Sequence, residues 1–307
     1  MLFYLNINIV FLIISFLILI SGFYFFKISN NYSFDLNKKQ KINFILVIGI
    51  LIYVFFIILL SKAWYISQST VTFHFFNDWP EWNYLDKFGH LFTAFHISDI
   101  AIRILFWIGF SRKKSLLLGA LTGILFQTPI EILDGFGVAY GFSWGDIFAN
   151  LCGSIFVFIQ YWIWNEIRIF PKFSFHFTPY AAMRPEMLGT NYGQQFLKDY
   201  NGQTYWFAID FFSFFKNIKL HWFIKIFCVS FGYGAEGMIH GREEQNIRDG
   251  FFPFQQYYIS PDINFERIPT QNKILQILFF SINKLHALMP AIEYSSMYGL
   301  KWHFLFF

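Results

Sequence analysis

The segment INFILVIGILIYVFFIILLS, residues 42–61, contains no charged side chain and is bracketed by Lys41 and Lys62. A helix needs about 20 mostly apolar residues to cross the hydrocarbon core of a bilayer. The segment therefore predicts a membrane-spanning helix. It is the cleanest segment of this kind in the chain, and it decides the fold class that we expect.

The composition of the whole chain agrees with a membrane protein. Of the 307 residues, 56% are hydrophobic and only 14% are charged, whereas a soluble domain has about 25% charged residues. This low charge content excludes a disordered chain. The 23 basic and 19 acidic side chains form no basic run dense enough for a nucleic-acid partner. The two cysteines, Cys152 and Cys228, lie in apolar stretches and are expected to be free thiols.

Other apolar segments extend this topology. Basic residues collect in the loops around 27–41 and 111–114, which should face the cytoplasm, while acidic residues mark the loops 62–87 and 131–146, which should face outside. We therefore predict an integral protein of the bacterial cell membrane, which is the inner membrane in a Gram-negative cell. The further predicted spans are residues 1–26, 88–110, 115–133 and 147–165.

The expected fold class is an all-α integral membrane protein. It would be a polytopic helical bundle of about five spans, followed by a C-terminal half of helices and short β-hairpins. The predicted regions are a two-span anchor region at 1–62, a three-span core at 63–165 and a mixed region at 166–307.

Turn signals and an amphipathic pattern mark the C-terminal half. Asn201-Gly202 and Pro261-Asp262 predict hairpin turns. Residues 220–239 are apolar but contain Lys225, so a sixth span is left open there. Residues 273–289 place their apolar side chains on one helical face, which predicts an amphipathic helix.

Polar residues gather where three predicted spans reach the outer face of the membrane. Acids, an imidazole and an amide would be costly near hydrocarbon, so they should face the bundle interior or a water-filled cavity. Several are three or four residues apart and therefore share a helical face. The candidate ligand-binding residues are Asp86, Lys87, His90, Glu131, Asp134, Ser143, Asp146 and Asn150.

Three interpretations of these residues stay open. Asp86 and Asp146 can simply complement helix N-termini, with Ser143 as the N-cap of a capping box. The cluster can instead bind a ligand or perform acid–base chemistry, or its carboxylates and imidazole can bind a divalent metal ion. Ser143 also lies in a G-x-S-x-G string, but no convincing strand pattern precedes it, so the cap is favoured over a nucleophile.

Two further groups of ionisable residues lie outside this cluster. Asp99 and Arg103 are four residues apart inside a predicted span, with His96 on the same side. They form either an internal ion pair or a proton relay. Glu236 and His240 are also four apart and are a weaker candidate for a second ligand pair.

Three strings in order resemble a known group of proteins. They are Asp86-Lys87-Phe-Gly-His90, Glu131-x-x-Asp134-Gly-Phe, and Phe-Ser143-Trp-Gly-Asp146-x-x-x-Asn150. Together they resemble the VanZ-like group, and most closely its YfiM-like branch in the extended Bacteroidetes-type form. The resemblance implies a membrane-associated envelope protein of unknown function, with VanZ members linked to glycopeptide resistance. It implies no catalytic residues.

The sequence leaves three functions open. The preferred function is a binding or accessory protein of the envelope, whose polar site recognises a lipid headgroup, a cell-wall precursor or an envelope protein. The alternative is a membrane-embedded hydrolase or transferase acting on a lipid-linked substrate, with His90 as base and Asp146 or Glu131 as its partner or as a metal ligand. The third is an ion or proton pathway that uses His96, Asp99 and Arg103. No nucleophile can be assigned, so the sequence does not decide whether the protein is an enzyme.

Overall fold

The computed structural model describes residues 36–60, 69–215 and 219–307. The described residues form two compact units, which divide between Ile167 and Arg168. The predicted first span, residues 1–26, lies outside the described residues.

The first unit is helical. Four of its helices are long and apolar enough to cross a membrane, judged by length and composition alone. The predicted helices at 42–61, 88–110, 115–133 and 147–165 are therefore present, each shifted by a few residues. They are α1 (Lys38–Leu60), α2 (Leu85–Ile108), α3 (Arg112–Asp134) and α4 (Trp144–Trp164).

Helices α2, α3 and α4 pack closely because glycines lie at their crossings. A Cβ atom on Gly123 would lie 2.2 Å from Ser98 Oγ, and one on Gly153 would lie 2.3 Å from the carbonyl oxygen of Leu91. Real side chains do not tolerate such distances, so only glycine permits this spacing. Small residues thus bring the polar ends of the three helices together.

The second unit contains a six-stranded antiparallel sheet in which the strand order follows the chain order. Each strand pairs with the next one along the chain, so the sheet is a meander. Its strands are β1 (Ile169–Phe175), β2 (Gln203–Ile209), β3 (Phe227–Glu236), β4 (Phe254–Ile263), β5 (Met289–Ser295) and β6 (Gly299–Phe306). Short helices connect them: α5 (Tyr180–Met183), α6 (Pro185–Leu188), α7 (Tyr192–Lys198), α8 (Trp222–Lys225), α9 (Glu243–Arg248) and α10 (Lys273–Ile282).

The sheet contradicts the predicted fold class. The chain is a mixed α/β protein and not an all-α membrane bundle. The segment 220–239, left open as a sixth span, forms α8 and β3. The pattern misled because part of β3 inverts the usual alternation: Ser230 is buried while Val229 and Phe231 are exposed. A hydropathy window averages over that alternation.

Both predicted hairpin turns are wrong. Asn201 and Gly202 form a short 3₁₀ turn that leads from α7 into β2. The buried Asn201 amide donates to Asp199 Oδ1 (2.8 Å) and to the carbonyl oxygen of Met238 (2.7 Å), which fixes this turn. Pro261 and Asp262 lie within β4, near its end and beyond the residues that pair with β5. The predicted amphipathic helix is confirmed as α10, although it is shorter than expected.

The interior of the sheet holds an aromatic core around Trp206, Tyr258 and Phe306. The buried His286 ring stacks on Trp206 with centroids 3.8 Å apart. Burial lowers the pKa of His286 to about 4, because the charged imidazolium would lose its hydration.

This buried imidazole predicts an acid-sensitive sheet. The unfolded chain, with a histidine pKa of about 6.5, binds a proton that the folded state does not, so stability falls as the pH drops from about 6.5 to about 4. From pH 7 to pH 5 the loss from His286 is about 2 kcal/mol. Denaturant unfolding of the full chain at both pH values measures it. His286→Phe keeps an aromatic ring against Trp206, so its loss of stability between pH 7 and pH 5 should be smaller than that of the unaltered protein by about 2 kcal/mol. Equal losses in the two proteins would contradict the assignment of this effect to His286.

Candidate functional site

The site begins where α2 starts. Trp82, Asn83 and Tyr84 precede the helix with φ angles of 53°, 49° and 66°. Left-handed backbone costs a non-glycine residue about 1–2 kcal/mol. Asp86, Lys87 and His90 follow directly on the first two turns of α2. The surrounding structure therefore compensates for the backbone strain at residues 82–84, and the start of α2 is fixed at this place.

A second segment reaches the site from a loop. Residues 71–76 pair with residues 135–142 through backbone hydrogen bonds, such as His74 N–H to the carbonyl oxygen of Gly135 and Phe76 N–H to that of Phe142. This pairing places Asp78 beside the N-terminus of α4. There Ser143 Oγ donates to Asp78 Oδ1 at 2.5 Å.

Ser143 is the N-cap of α4, as the capping box predicted. Its Oγ accepts a hydrogen bond from the backbone N–H of Asp146 at 3.1 Å. The Ser143 hydroxyl is buried and is held by the cap and by Asp78. The geometry supports the cap and not a serine nucleophile.

One buried ammonium group lies among three carboxylates. Lys87 Nζ is 2.9 Å from Asp78 Oδ2, 2.9 Å from Asp86 Oδ2 and 2.5 Å from Asp146 Oδ1. A buried charge is tolerated only when it is paired. Lys87 satisfies that condition for itself, but it neutralises only one of the three carboxylates.

His90 joins two sets of acceptors. Its Nε2 is 3.9 Å from Asp86 Oδ1 and 3.7 Å from Asp146 Oδ1. Its Nδ1 lies 3.2 Å from Asn150 Oδ1 and 3.6 Å from Glu131 Oε1. Each ring nitrogen of His90 therefore faces oxygen atoms. Nε2 faces carboxylates on the first turn of α2 and on α4, and Nδ1 faces side-chain oxygens on α3 and α4.

Glu131 on α3 is fully buried. Neither of its carboxylate oxygens has a hydrogen-bond partner among the described residues. Gln127, four residues earlier on α3, donates to Asn150 Oδ1 at 2.5 Å and to the carbonyl oxygen of His90 at 3.1 Å, which orients the Asn150 amide. We call Asp78, Asp86, Lys87, His90, Glu131, Asp146 and Asn150 the polar cluster.

The structure brings together most of the residues that the sequence singled out. Asp134, three residues after Glu131 at the end of α3, lies near the Glu131 carboxyl and outside the Asp86–His90–Asp146 group described below. Sequence reasoning missed Asp78 and Gln127. Asp78 lies in an irregular loop that gives no periodic signal. Gln127 is four residues before Glu131, so its place on the same helical face could have been found.

The other ionisable groups behave as structural pairs. Arg103 Nε donates to both oxygens of Asp99 at 3.0 and 3.1 Å, and the Tyr161 hydroxyl donates to Asp99 Oδ1 at 2.7 Å. This confirms the internal ion pair. Glu236 and His240 have separate partners: Glu236 accepts from Gln256, and His240 lies 2.7 Å from Asp249.

Part of the chain is similar to a known protein family. Residues 75–162 match a family described as "Predicted periplasmic lipoprotein (DUF2279)". The match covers less than a third of the chain but contains every residue of the polar cluster. No curated protein and no solved structure matches the chain. The description supports a protein associated with the cell envelope, and it gives no link to VanZ-like or YfiM-like proteins.

The family description also corrects the predicted location. It points to a periplasmic, membrane-anchored protein, whereas the sequence pattern predicts an integral protein of the inner membrane. That prediction rests on hydropathy. Length and apolar composition do not distinguish a helix that crosses lipid from one that packs inside a protein.

Proposed function

We propose that this protein is a ligand-binding accessory protein of the bacterial cell envelope and that the polar cluster is its binding site. Four carboxyl groups surround one ammonium and one imidazole, so hydrogen-bond acceptors outnumber their partners. Such a site favours a ligand that brings positive charge or hydrogen-bond donors. A cell-wall precursor, a lipid headgroup and a segment of another envelope protein can each provide these groups.

The observation that carries the proposal is the buried Glu131 carboxyl without a hydrogen-bond partner among the described residues. A polar network that serves only stability is normally satisfied throughout, because each unmade hydrogen bond in the interior costs about 1–3 kcal/mol. The Ser143 cap already fulfils the structural role expected at the start of α4. The rest of the cluster exceeds what capping requires.

A VanZ-like, YfiM-like relationship also belongs to the proposal. It is supported by the order and spacing of the strings at residues 86–90, 131–134 and 143–150, whose side chains converge in one place. The alternative, a hydrolase or transferase acting on a lipid-linked substrate, has one favourable feature: acceptors on both sides of His90 would orient it as a base. No nucleophile accompanies it among the described residues of the cluster, so binding is preferred.

Glu131→Gln tests whether the cluster serves function or stability. The change removes the cost of burying an ionisable carboxyl and keeps the shape, so we expect the ligand-free protein to be more stable by about 1–2 kcal/mol. The same variant should fail to complement a deletion strain grown with a glycopeptide or under detergent stress. The measurements are thermal unfolding of the purified full chain and growth of the complemented strain.

Asp99→Asn is the matched control. It removes a buried carboxylate that is already paired with Arg103 and Tyr161, so it should lower stability. If Glu131→Gln is instead as destabilising as Asp99→Asn, the cluster is structural and the proposed function is wrong. The same conclusion follows if Glu131→Gln complements fully.

A further inference from the structure

We infer that the polar cluster holds a divalent first-row transition-metal ion between Asp86, His90 and Asp146. This inference rests on the proposed function and specifies the ligand of the same site. One ligand atom from each of these residues lies within 4.8 Å of the other two. Two of the residues come from α2 and one from α4, so the site forms only when the helices pack.

The distances suit a small metal ion. Zinc binds imidazole nitrogen at about 2.0–2.1 Å and carboxylate oxygen at about 2.0–2.2 Å, which places two ligands of a tetrahedral ion about 3.4 Å apart. His90 Nε2 lies 3.7 Å from Asp146 Oδ1 and 3.9 Å from Asp86 Oδ1. Contraction by a few tenths of an ångström would bring His90 Nε2 to this separation from both carboxylates, and the two carboxylate oxygens, which lie within 4.8 Å of each other, would also have to approach.

The hydrogen-bonding roles of His90 point the same way. Gln127 orients the amide of Asn150 so that Asn150 Oδ1 accepts, and Glu131 adds a second acceptor near His90 Nδ1. The proton of a neutral imidazole therefore belongs on Nδ1. Nε2 then presents its lone pair to two carboxylates, and a cation between the three acceptors removes the repulsion.

Glu131 supplies the independent observation. It is fully buried, lacks a hydrogen-bond partner within the described part of the chain, and lies 3.6 Å from His90 Nδ1. In metal sites a ligating histidine almost always donates its other N–H to a carboxylate or carbonyl oxygen, which fixes the ring and strengthens the ligand. Glu131 is in the place of that carboxylate, as a positioning residue and not as a ligand.

Lys87 shares one of the proposed ligand atoms. Lys87 Nζ binds Asp86 through Oδ2 and leaves Asp86 Oδ1 facing His90, but it also donates to Asp146 Oδ1, the oxygen that lies 3.7 Å from His90 Nε2. A metal ion would take the place of the ammonium at Asp146 Oδ1, and Asp78 and Asp86 would keep the ammonium paired. Three carboxyl groups, those of Asp78, Asp86 and Asp146, surround the single ammonium of Lys87, so a divalent cation would add positive charge where oxygen acceptors are in excess. Imidazole together with carboxylates favours zinc or manganese over magnesium and calcium, which prefer sites made of oxygen alone.

Isothermal titration of the metal-stripped full chain with Zn²⁺ and with Mn²⁺ tests the inference. We expect one ion per chain with micromolar or tighter affinity for at least one of them, and at least 100-fold weaker binding of Mg²⁺ and Ca²⁺. His90→Ala should abolish the binding, and Glu131→Gln should weaken it by about 10–100-fold through loss of the carboxylate behind His90. His176→Ala, a histidine in the other unit, is the control and should bind as the unaltered protein does.

Two results would overturn the metal site. One is the absence of stoichiometric binding to the unaltered protein, and the other is binding that survives His90→Ala. Electron paramagnetic resonance of bound Mn²⁺, or the absorption of bound Co²⁺, shows whether a variant that still folds has lost the ligand set. If only the metal site is wrong, the protein does not bind the metal ion but Glu131→Gln is still more stable than the unaltered protein. If the proposed function is wrong, Glu131→Gln is not more stable, so the two failures are distinguishable.

Discussion

Lys172→Met is expected to destabilise the sheet unit by about 3–5 kcal/mol. Lys172 and Asp262 are both fully buried, and Lys172 Nζ donates to Asp262 Oδ1 at 2.9 Å and to the carbonyl oxygen of Ile263 at 2.7 Å. Burial lowers the pKa of Lys172, and the Asp262 charge opposes that effect. Removal of the lysine leaves a carboxylate in the interior without its counter-charge, which is the costly way to break a buried pair.

The double variant Lys172→Met/Asp262→Asn isolates the cause. It removes both charges while Ser230 Oγ and the backbone N–H of Ala287 still surround position 262, so a large part of the stability should return. Glu186→Gln, which alters an ion pair with a mostly exposed carboxylate, should change stability by less than about 1 kcal/mol. Unfolding in denaturant, followed by tryptophan fluorescence of the full chain, measures all three. A double variant as unstable as Lys172→Met would show that uncompensated charge is not the cause.

Gly153→Ala is expected to destabilise the helical unit by about 3 kcal/mol. The added methyl group would lie 2.3 Å from the Leu91 carbonyl oxygen and 3.0 Å from the Phe95 nitrogen. Both atoms belong to the backbone of α2, so α2 and α4 must move apart, at the upper end of the cost of overpacking. Because His90 and Asn150 lie on these two helices, the separation should also weaken any ligand binding at the polar cluster.

Gly49→Ala is the control for this effect. Gly49 lies in α1, and a Cβ atom added there would have nothing within 4 Å. Alanine is a better helix former than glycine by about 1 kcal/mol, so this variant should be neutral or stabilising. Thermal unfolding of both variants gives the comparison. Equal effects at the two positions would mean that helix propensity, and not close packing, sets the result.

The sequence predicted the helices and most of the site for the same reason. Apolar runs and three- or four-residue spacings are local signals, and they placed Asp86, His90 and Asp146 on helix ends before any contact was known. Asp78 could not be found in this way, since backbone pairing between residues 71–76 and a distant loop positions it. The left-handed turn at Trp82–Tyr84 gives no sequence signal either, because none of its residues is a glycine.

The sheet was missed because its strands depart from the usual alternation. In β4, the polar Gln256 and Ser260 share the buried side with Tyr258, while Tyr257 and Ile259 are exposed. The usual alternation places apolar residues inside and polar residues outside. Long-range ion pairs such as Lys172 with Asp262 then satisfy the polar interior, and no local pattern indicates them.

The sequential strand order has a consequence for the assembly of the C-terminal half. A meander requires each new strand to find only the strand just completed, even where a long connection such as residues 176–202 separates the two. Such a unit can be built hairpin by hairpin as the chain emerges from translation or secretion. Its growing edge is then occupied by the next strand before another chain can pair with it.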